Sequence, residues 1–147
     1  MSSTFVFDAE PLVAYLHDEP GADRVQDVLE RVYDGTLDAE MSEVTATEVA
    51  YKTAWLHADE RPTGDDLNLG RRQVRNFADG GVELVSPTDS WETAAKIKAG
   101  GGISLGDAFA VALAAETDGT LLVGADDDFD DLDVSVNIER IRTTAAT

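Results

Sequence analysis

Short apolar segments alternate along the chain with segments of helical length, and this alternation restricts the fold more than any other feature. Thr4–Phe7, Val82–Val85 and Thr120–Val123 have the length and apolar content of buried strands. A weaker, half-polar strand pattern occupies residues 36–41, and residues 136–141 alternate as expected for a last strand. Strands that alternate with helices usually form a parallel sheet, because each parallel pair needs a long crossover connection. The sequence therefore predicts an α/β fold with a parallel sheet covered by helices on both faces.

Helical segments fill the intervals between the predicted strands. Their ends are marked by proline, glycine and capping residues, and the segment at 104–116 is apolar enough to be buried. The predicted helices are a first turn containing Pro11, a helix through Val25–Val32, residues 44–58, a polar helix from the break at 62–64 to about residue 80, residues 87–98, and residues 104–116.

The length of 147 residues suits one compact domain. We predict a single domain over residues 1–147, with a core from about 4 to 141 and a frayed tail at 143–147. No segment approaches the length of a membrane span, and the first ten residues lack the basic and apolar regions of a signal peptide. We therefore expect a cytoplasmic protein without a membrane partner.

The chain is strongly acidic, with 30 acidic against 11 basic residues and a net charge of −19. The acidic residues are spread along the sequence, and the apolar content of 43% is that of a globular protein. At molar salt the Debye length is about 3 Å, so repulsion among these charges is screened. The composition favours a salt-loving source organism and unfolding at low salt.

Several kinds of chemistry are excluded or disfavoured by the composition. The chain has no cysteine, which excludes disulfides, thiolate nucleophiles and cysteine-bound zinc. His17 and His57 are isolated in the sequence, and the glycines at 100–102 lack the lysine and hydroxyl of a phosphate-binding loop. Oxygen ligands are what the sequence offers in quantity.

Carboxylates stand where a parallel sheet would gather them. Asp8 follows the first strand, and Asp126 and Asp128 follow the strand at 120–123, while Glu48 and Asp107 lie near helix starts. In open α/β sheets the ligand crevice lies at the carboxyl ends of the strands. Hard divalent ions prefer oxygen ligands. The sequence therefore predicts a Mg²⁺ or Mn²⁺ site at this edge.

Each carboxylate also has a purely structural explanation. Thr45 and Glu48, like Ser104 and Asp107, have the spacing of a capping box, in which the two side chains cap a helix start. Asp8 could simply end a strand at a turn. The run from 126 to 133 holds six aspartates, some or all of which could be acidic surface.

Four segments together resemble the signatures of the PIN-domain ribonucleases, and their order and spacing are most similar to the VapC-type toxins of prokaryotic toxin–antitoxin pairs. The resemblance spans residues 4 to 141 and implies a three-layer α/β/α fold with a five-stranded parallel sheet. It also implies a Mg²⁺- or Mn²⁺-dependent endoribonuclease acting on single-stranded RNA. The segments are FVFD at 5–8, VTATE at 44–48, SLGDAFAVA at 104–112 and ADDDF at 125–129.

Carried over by position, the resemblance makes Asp8, Glu48, Asp107 and Asp126 the catalytic, metal-binding carboxylates, with Asp128 as an outer or alternate ligand. The family often has threonine, serine or asparagine two residues before Asp126, where this chain has Gly124. A side chain that would orient a carboxylate or a water is therefore missing.

The resemblance also implies an RNA substrate, a cognate antitoxin and a homodimer. Arg71, Arg72 and Arg75 on one predicted helix, with Lys96 and Lys98 further on, could contact RNA phosphates or simply balance the acidic surface. Two alternatives stay open at this stage, a PIN nuclease of RNA processing or quality control and a non-catalytic binding module on the same fold.

Overall fold

The computed structural model describes residues 4–132 and 134–143 and contains a five-stranded, fully parallel sheet. The predicted tail at 143–147 lies, apart from Thr143, outside the described residues. All five predicted strands are confirmed, with β2 and β5 displaced or shortened by one or two residues at their ends. The strands are β1 (Thr4–Phe7), β2 (Asp38–Ser42), β3 (Val82–Val85), β4 (Thr120–Val123) and β5 (Asn137–Arg140), in the order β3-β2-β1-β4-β5.

Six α-helices connect the strands in the part of the chain that the structure describes. Among the described residues, no helix is both long and apolar enough to cross a membrane. The helices are α1 (Ala9–Leu16), α2 (Ala22–Tyr33), α3 (Glu43–His57), α4 (Gly64–Gly80), α5 (Trp91–Ala99) and α6 (Leu105–Thr117), with 3₁₀ turns at Pro87–Asp89 and Asp127–Phe129.

The predicted helix at 87–98 is wrong at its start, because a 3₁₀ turn replaces its first turn. The amide of Ser90 donates to the carbonyl of Pro87 at 3.1 Å, an i to i+3 bond. The α-helical pattern begins only when Ala94 donates to the carbonyl of Ser90 at 2.9 Å. Ser86 caps the 3₁₀ turn by accepting from the amide of Thr88.

The two faces of the sheet carry separate apolar cores, which gives the three-layer α/β/α architecture. Successive residues of a strand point to opposite faces. Phe7 and Leu122 pack with apolar residues of α1 to α4. Val6, Leu121 and Val123 pack on the other face with apolar residues of α5 and α6. The central strands β1 and β4 are thus buried on both faces at their carboxyl ends, as expected for parallel strands, while the edge strands β3 and β5 are partly exposed.

Helices α3 and α4 approach each other closely at Gly70. A Cβ atom at position 70 would lie 2.2 Å from the carbonyl oxygen of Ala50, a distance that requires backbone movement. Gly64, at the start of α4, has open space around its missing Cβ. Gly64 and Gly70 of α4 therefore differ in whether an added methyl group would collide with a neighbouring atom.

We predict that Gly70→Ala destabilises the fold by about 1–3 kcal/mol through overpacking. Gly64→Ala is the matched control and should be neutral or slightly stabilising, because alanine restricts the unfolded chain without meeting a neighbour. Denaturant unfolding of both variants at molar potassium chloride measures the difference. Equal unfolding midpoints for the two variants would contradict the close approach of α3 and α4.

Candidate metal centre

The site lies at the point in the sheet where the order of the strands changes direction, from β1–β2–β3 on one side to β4–β5 on the other. Strand β1 is central, with β2 on one side and β4 on the other. The amide of Asp8 donates to the carbonyl of Leu122 at 3.0 Å, which fixes the end of β1 against β4. Asp8 precedes α1 and is 4% exposed, and Asp126 follows β4 by three residues. Such a switch point is the usual ligand crevice of an open α/β sheet.

Glu48 is not a capping residue. Helix α3 begins at Glu43, and its N-cap is Ser42, whose hydroxyl accepts from the amide of Val44 at 3.1 Å. Capping by Thr45 is therefore wrong, because Thr45 is already inside the helix and fully buried. Glu48 in the second turn is free to face the end of the sheet.

Gly106 at the start of α6 makes room for the Glu48 carboxylate. A Cβ at position 106 would lie 2.1 Å from Oε1 and 2.5 Å from Cδ of Glu48. The carboxylate therefore packs directly on the first turn of α6, one residue from Asp107. This close approach gives a steric reason for the glycine that precedes Asp107 in the segment SLGDAFAVA.

Asp107 is held in the first turn of α6 without capping it. Ser104 is the N-cap, and its hydroxyl accepts from the amide of Asp107 at 3.2 Å. The reciprocal bond of a capping box comes from elsewhere, because the Ser104 amide donates to Oδ2 of Asp128 at 3.0 Å. The Asp107 side chain is left for other partners, and the residue is 7% exposed.

Three carboxylates from α6 and the segment after β4 form a cluster. One oxygen from each of Asp107, Asp126 and Asp128 lies within 4.8 Å of the others. Asp126 Oδ1 also accepts from the amide of Asp128 at 2.9 Å, which orders the 3₁₀ turn. Within the described residues, Asp8 Oδ1 and Glu48 Oε1 are buried and have no hydrogen-bond partner.

Burial and mutual repulsion favour protonation of the innermost carboxylates. Burial, together with the charge of Glu48, raises the pKa of Asp8 from 3.8 to about 7, although a backbone hydrogen bond at Ala9 opposes it. Burial and the charge of Asp8 raise the pKa of Asp107 from 3.8 to about 9. Burial also raises the pKa of Glu48. Without a bound cation, the raised pKa values therefore favour the protonated, neutral form of these carboxyls.

Asp128 behaves in the opposite way. Burial acts to raise its pKa, but hydrogen bonds with Asp107 and the amide of Ser104 outweigh that effect and lower it. A carboxyl that keeps its proton lies beside one that readily loses it. Such divergent pKa values among neighbouring acids are typical of functional sites.

The residues present fit a divalent cation. Unpartnered buried oxygens on Asp8 and Glu48 are costly unless a donor or a cation satisfies them. The clustered donors of Asp107, Asp126 and Asp128 are all carboxylate oxygens, the ligands that Mg²⁺ and Mn²⁺ prefer. The predicted metal-binding role of these five residues stays a prediction, but the fold brings them to one edge.

Two lysines border the centre, and one of them, Lys52, was not identified from the sequence. Lys52 Nζ lies 3.8 Å from Oε2 of Glu48, and their i, i+4 spacing on α3 was the available signal. The charge of Lys98 contributes to the lowered pKa of Asp128. Arg71, Arg72 and Arg75 instead line a depression on α4 with Asp65 and Asn68.

A cavity of about 410 Å³ adjoins the cluster at Asp128. Its wall combines apolar side chains, including Ile97, Ile103 and Leu132, with Lys96 and the acidic residues Asp127, Asp128 and Asp131. The glycines at 100–102 form part of this wall, and Gly101 and Gly102 have φ values of +83° and +74° that favour glycine.

Comparison with known proteins agrees with this architecture. One similar crystal structure is VapBC2 from Rickettsia felis bound to a DNA fragment from its promoter, with a TM-score of 0.68, 13% identity, and coverage of 93% of this chain and 98% of that one. A second is VapBC-5 from Mycobacterium tuberculosis, with a TM-score of 0.55, 21% identity, and coverage of 95% and 98%. At these identities the likeness concerns the fold alone. No curated protein matches the chain.

The sequence itself matches the PIN domain family over residues 5–135. The matched region contains all five carboxylates of the edge, strands β2, β3 and β4, and all of β1 except its first residue. On that match and the parallel α/β/α architecture, the chain belongs to the PIN domain family.

Proposed function

We propose that this protein is a divalent-metal-dependent endoribonuclease that cleaves single-stranded RNA and is the toxin of a toxin–antitoxin pair. The observation that carries the nuclease proposal is the convergence of Asp8, Glu48, Asp107 and Asp126 at one crevice, where Asp8 and Glu48 each have a buried oxygen without a partner among the described residues. A purely solvating surface would not bury such groups against each other.

Asp8 is proposed to anchor the metal, while Glu48, Asp107 and Asp126 complete the site directly or through water. Asp128 is proposed as the outer or alternate ligand, the role that the resemblance gives it, and its Oδ2 accepts from the Ser104 amide. Bound Mg²⁺ or Mn²⁺ supplies stabilisation of phosphoryl charge and activation of water for hydrolysis. The carboxylates themselves can orient a water and accept its proton.

RNA is proposed to bind where Lys52 and Lys98 border the centre. Lys52 beside Glu48 and Lys98 beside Asp128 are cations that can meet phosphates on either side of the scissile bond. The cavity with Lys96 in its wall is large enough for an unpaired nucleotide. A base inside a duplex could not occupy it, which favours single-stranded RNA.

The toxin assignment is supported by the likeness to two VapBC structures and by apolar side chains left on the surface. We propose an antitoxin and a second copy of the chain as the partners that cover them, because exposed large apolar residues commonly mark protein interfaces. The exposed large apolar residues are Tyr33, Tyr51, Trp55, Leu56, Leu67, Leu84, Trp91 and Leu105.

We predict Mn²⁺- or Mg²⁺-dependent cleavage of single-stranded RNA at molar potassium chloride, where the acidic surface is screened. Asp8→Asn should reduce the rate by at least about a hundredfold, because the anchoring carboxylate is lost. Asp59→Asn, a change of the same charge at an exposed position, is the matched control. Circular dichroism establishes that all three proteins are folded before gel-based cleavage assays.

An Asp8→Asn protein that is folded and cleaves as fast as wild type would contradict the mechanism. Folded wild type that cleaves nothing in a varied RNA pool, and binds no Mn²⁺ by calorimetry, would favour a non-catalytic module on the PIN fold.

We predict that metal-free protein loses stability as the pH rises from about 4 to 9. The folded-state pKa values of about 7 for Asp8 and about 9 for Asp107 exceed the ordinary value of 3.8, so folding favours the protonated carboxyls. Their stabilisation is fully present below pH 3.8 and is lost as the pH rises through the folded values. Thermal melts in molar salt with chelator, for wild type and Asp107→Asn, measure the effect.

Asp107→Asn should have the flatter dependence on pH, because the group with the largest rise in pKa is gone. Mn²⁺ should raise the melting temperature of wild type more at pH 8 than at pH 5, since the metal competes with protons for the same oxygens. A wild-type stability that increases from pH 5 to pH 9 without metal, in parallel with the variant, would be the contrary result.

We predict that induced expression of the wild-type protein arrests growth of a host with a high-salt cytoplasm, while Asp8→Asn does not. Co-expression of a small antitoxin-like gene adjacent to this one should restore growth and yield a complex with the toxin. Size-exclusion chromatography with light scattering would measure the homodimer and the complex. Unimpaired growth with a protein that cleaves RNA in vitro would favour an RNA-processing nuclease.

A further inference from the structure

The segment that carries Asp126 is held from outside the carboxylate cluster. Gly124 and Ala125 link β4 to Asp126, and the amide of Ala125 donates to Oε2 of Glu10 at 2.8 Å. Glu10 lies in the first turn of α1, two residues after Asp8. The start of α1 thus provides two carboxylates. Asp8, at the N-cap, belongs to the centre, and Glu10 binds the backbone of the segment that carries Asp126.

Arg142 fixes Glu10 in this position. Its Nη2 and Nε donate to Oε2 of Glu10 at 2.9 and 3.1 Å. Its Nη1 donates to Oε1 of Glu19 at 3.3 Å and to the carbonyl of Pro20 at 3.1 Å. The Arg142 side chain is 6% exposed, so these charge-assisted bonds are largely shielded from water.

Gly124 is required by the position of Glu10. A Cβ at position 124 would lie 1.5 Å from Oε2 and 1.9 Å from Cδ of Glu10. Any other residue there would displace the Glu10 carboxylate from the Ala125 amide. The hydroxyl or amide side chain that the family often has at this position is thus replaced by a carboxylate that arrives from α1.

We infer that Glu10 is a positioning residue that, held by Arg142, fixes the segment 124–126 so that the Asp126 carboxylate faces Asp107 and Asp128. Arg140 holds the other side of this backbone, because its Nη1 donates to the carbonyls of Asp126 at 2.7 Å and Gly124 at 3.4 Å, whereas Glu10 holds the amide of Ala125. The inference rests on the proposed metal centre. Glu10 is not itself a candidate ligand through Oε2, because that oxygen already accepts from three donors, one on Ala125 and two on Arg142. Its role is exerted through Asp126.

The first test compares Glu10→Ala with Glu19→Ala in the full chain at molar potassium chloride. Both variants remove a carboxylate partner of Arg142, but only Glu10→Ala removes the acceptor of the Ala125 amide. Hydrogen exchange of that amide, measured by NMR without metal, should accelerate in Glu10→Ala and stay slow in Glu19→Ala. Mn²⁺ affinity by calorimetry should fall about tenfold in Glu10→Ala alone, as is typical when a group that orients a ligand is lost.

The second test uses the conservative variant and the steric partner. Glu10→Gln keeps an oxygen that can accept from Ala125, so it should retain most of the Mn²⁺ affinity lost in Glu10→Ala. Gly124→Ala should weaken Mn²⁺ binding in the wild-type background and have a much smaller effect in Glu10→Ala, because the colliding carboxylate is gone. If Glu10→Ala fails to fold, Gly124→Ala in the wild-type background carries the test, because displacing the Glu10 carboxylate should weaken Mn²⁺ binding and accelerate exchange of the Ala125 amide, and an unchanged Mn²⁺ affinity would overturn the inference.

The outcomes separate this inference from the proposed function. Wild type that binds no Mn²⁺ would overturn the metal centre and, with it, the role of Glu10 toward Asp126. Wild type that binds Mn²⁺, with a folded Glu10→Ala of equal affinity and a protected Ala125 amide, would overturn the positioning role and leave the metal centre standing. Equal penalties from Gly124→Ala in both backgrounds would also overturn it.

Discussion

Repulsion among buried carboxylates is the constraint on which the rest of the site depends. Two like charges about 4 Å apart repel by roughly 4 kcal/mol at an effective dielectric near 20, and burial increases the cost of charging each group. Asp8 and Asp107 are 4% and 7% exposed, and the raised pKa values of both express that cost. Lys52 and a backbone hydrogen bond at Ala9 offset only part of that cost. Protons or a bound cation would relieve the rest, and exchange between the two would couple metal binding to pH.

Two glycines let further carboxylates reach this edge. Gly106 leaves space for Glu48 against α6, and Gly124 leaves space for Glu10 against the segment before Asp126. Neither glycine adopts a positive φ, so the reason for glycine is the volume of a neighbouring carboxylate and not backbone conformation. The two carboxylates then differ in their surroundings. Glu48 keeps an unpartnered oxygen toward the centre, whereas Arg142 engages Glu10.

Much of the fold was predictable because strand and helix periods are local properties of the sequence. All five strands, the parallel α/β architecture and the position of α6 follow from apolar runs and their punctuation. Only the start of the helix predicted at 87–98 was wrong, because a buried Ser90 closes a 3₁₀ turn with Pro87, which depends on local hydrogen bonds that propensity does not encode. The cap at Thr45 was wrong because Ser42 begins the helix three residues earlier.

The sequence by itself determined which carboxylates could meet, since residues that follow parallel strands emerge at one edge of the sheet. Only the tertiary structure decided which of the acids that follow β4 join the cluster. Asp127 and Asp130 are aspartates of the same segment as Asp126, but they lie outside the cluster. It alone paired Glu10 with Ala125 and Arg142, contacts that span 115 and 132 residues of the chain. Contacts so distant in sequence have no local pattern, because they form only when the sheet and helices are packed together.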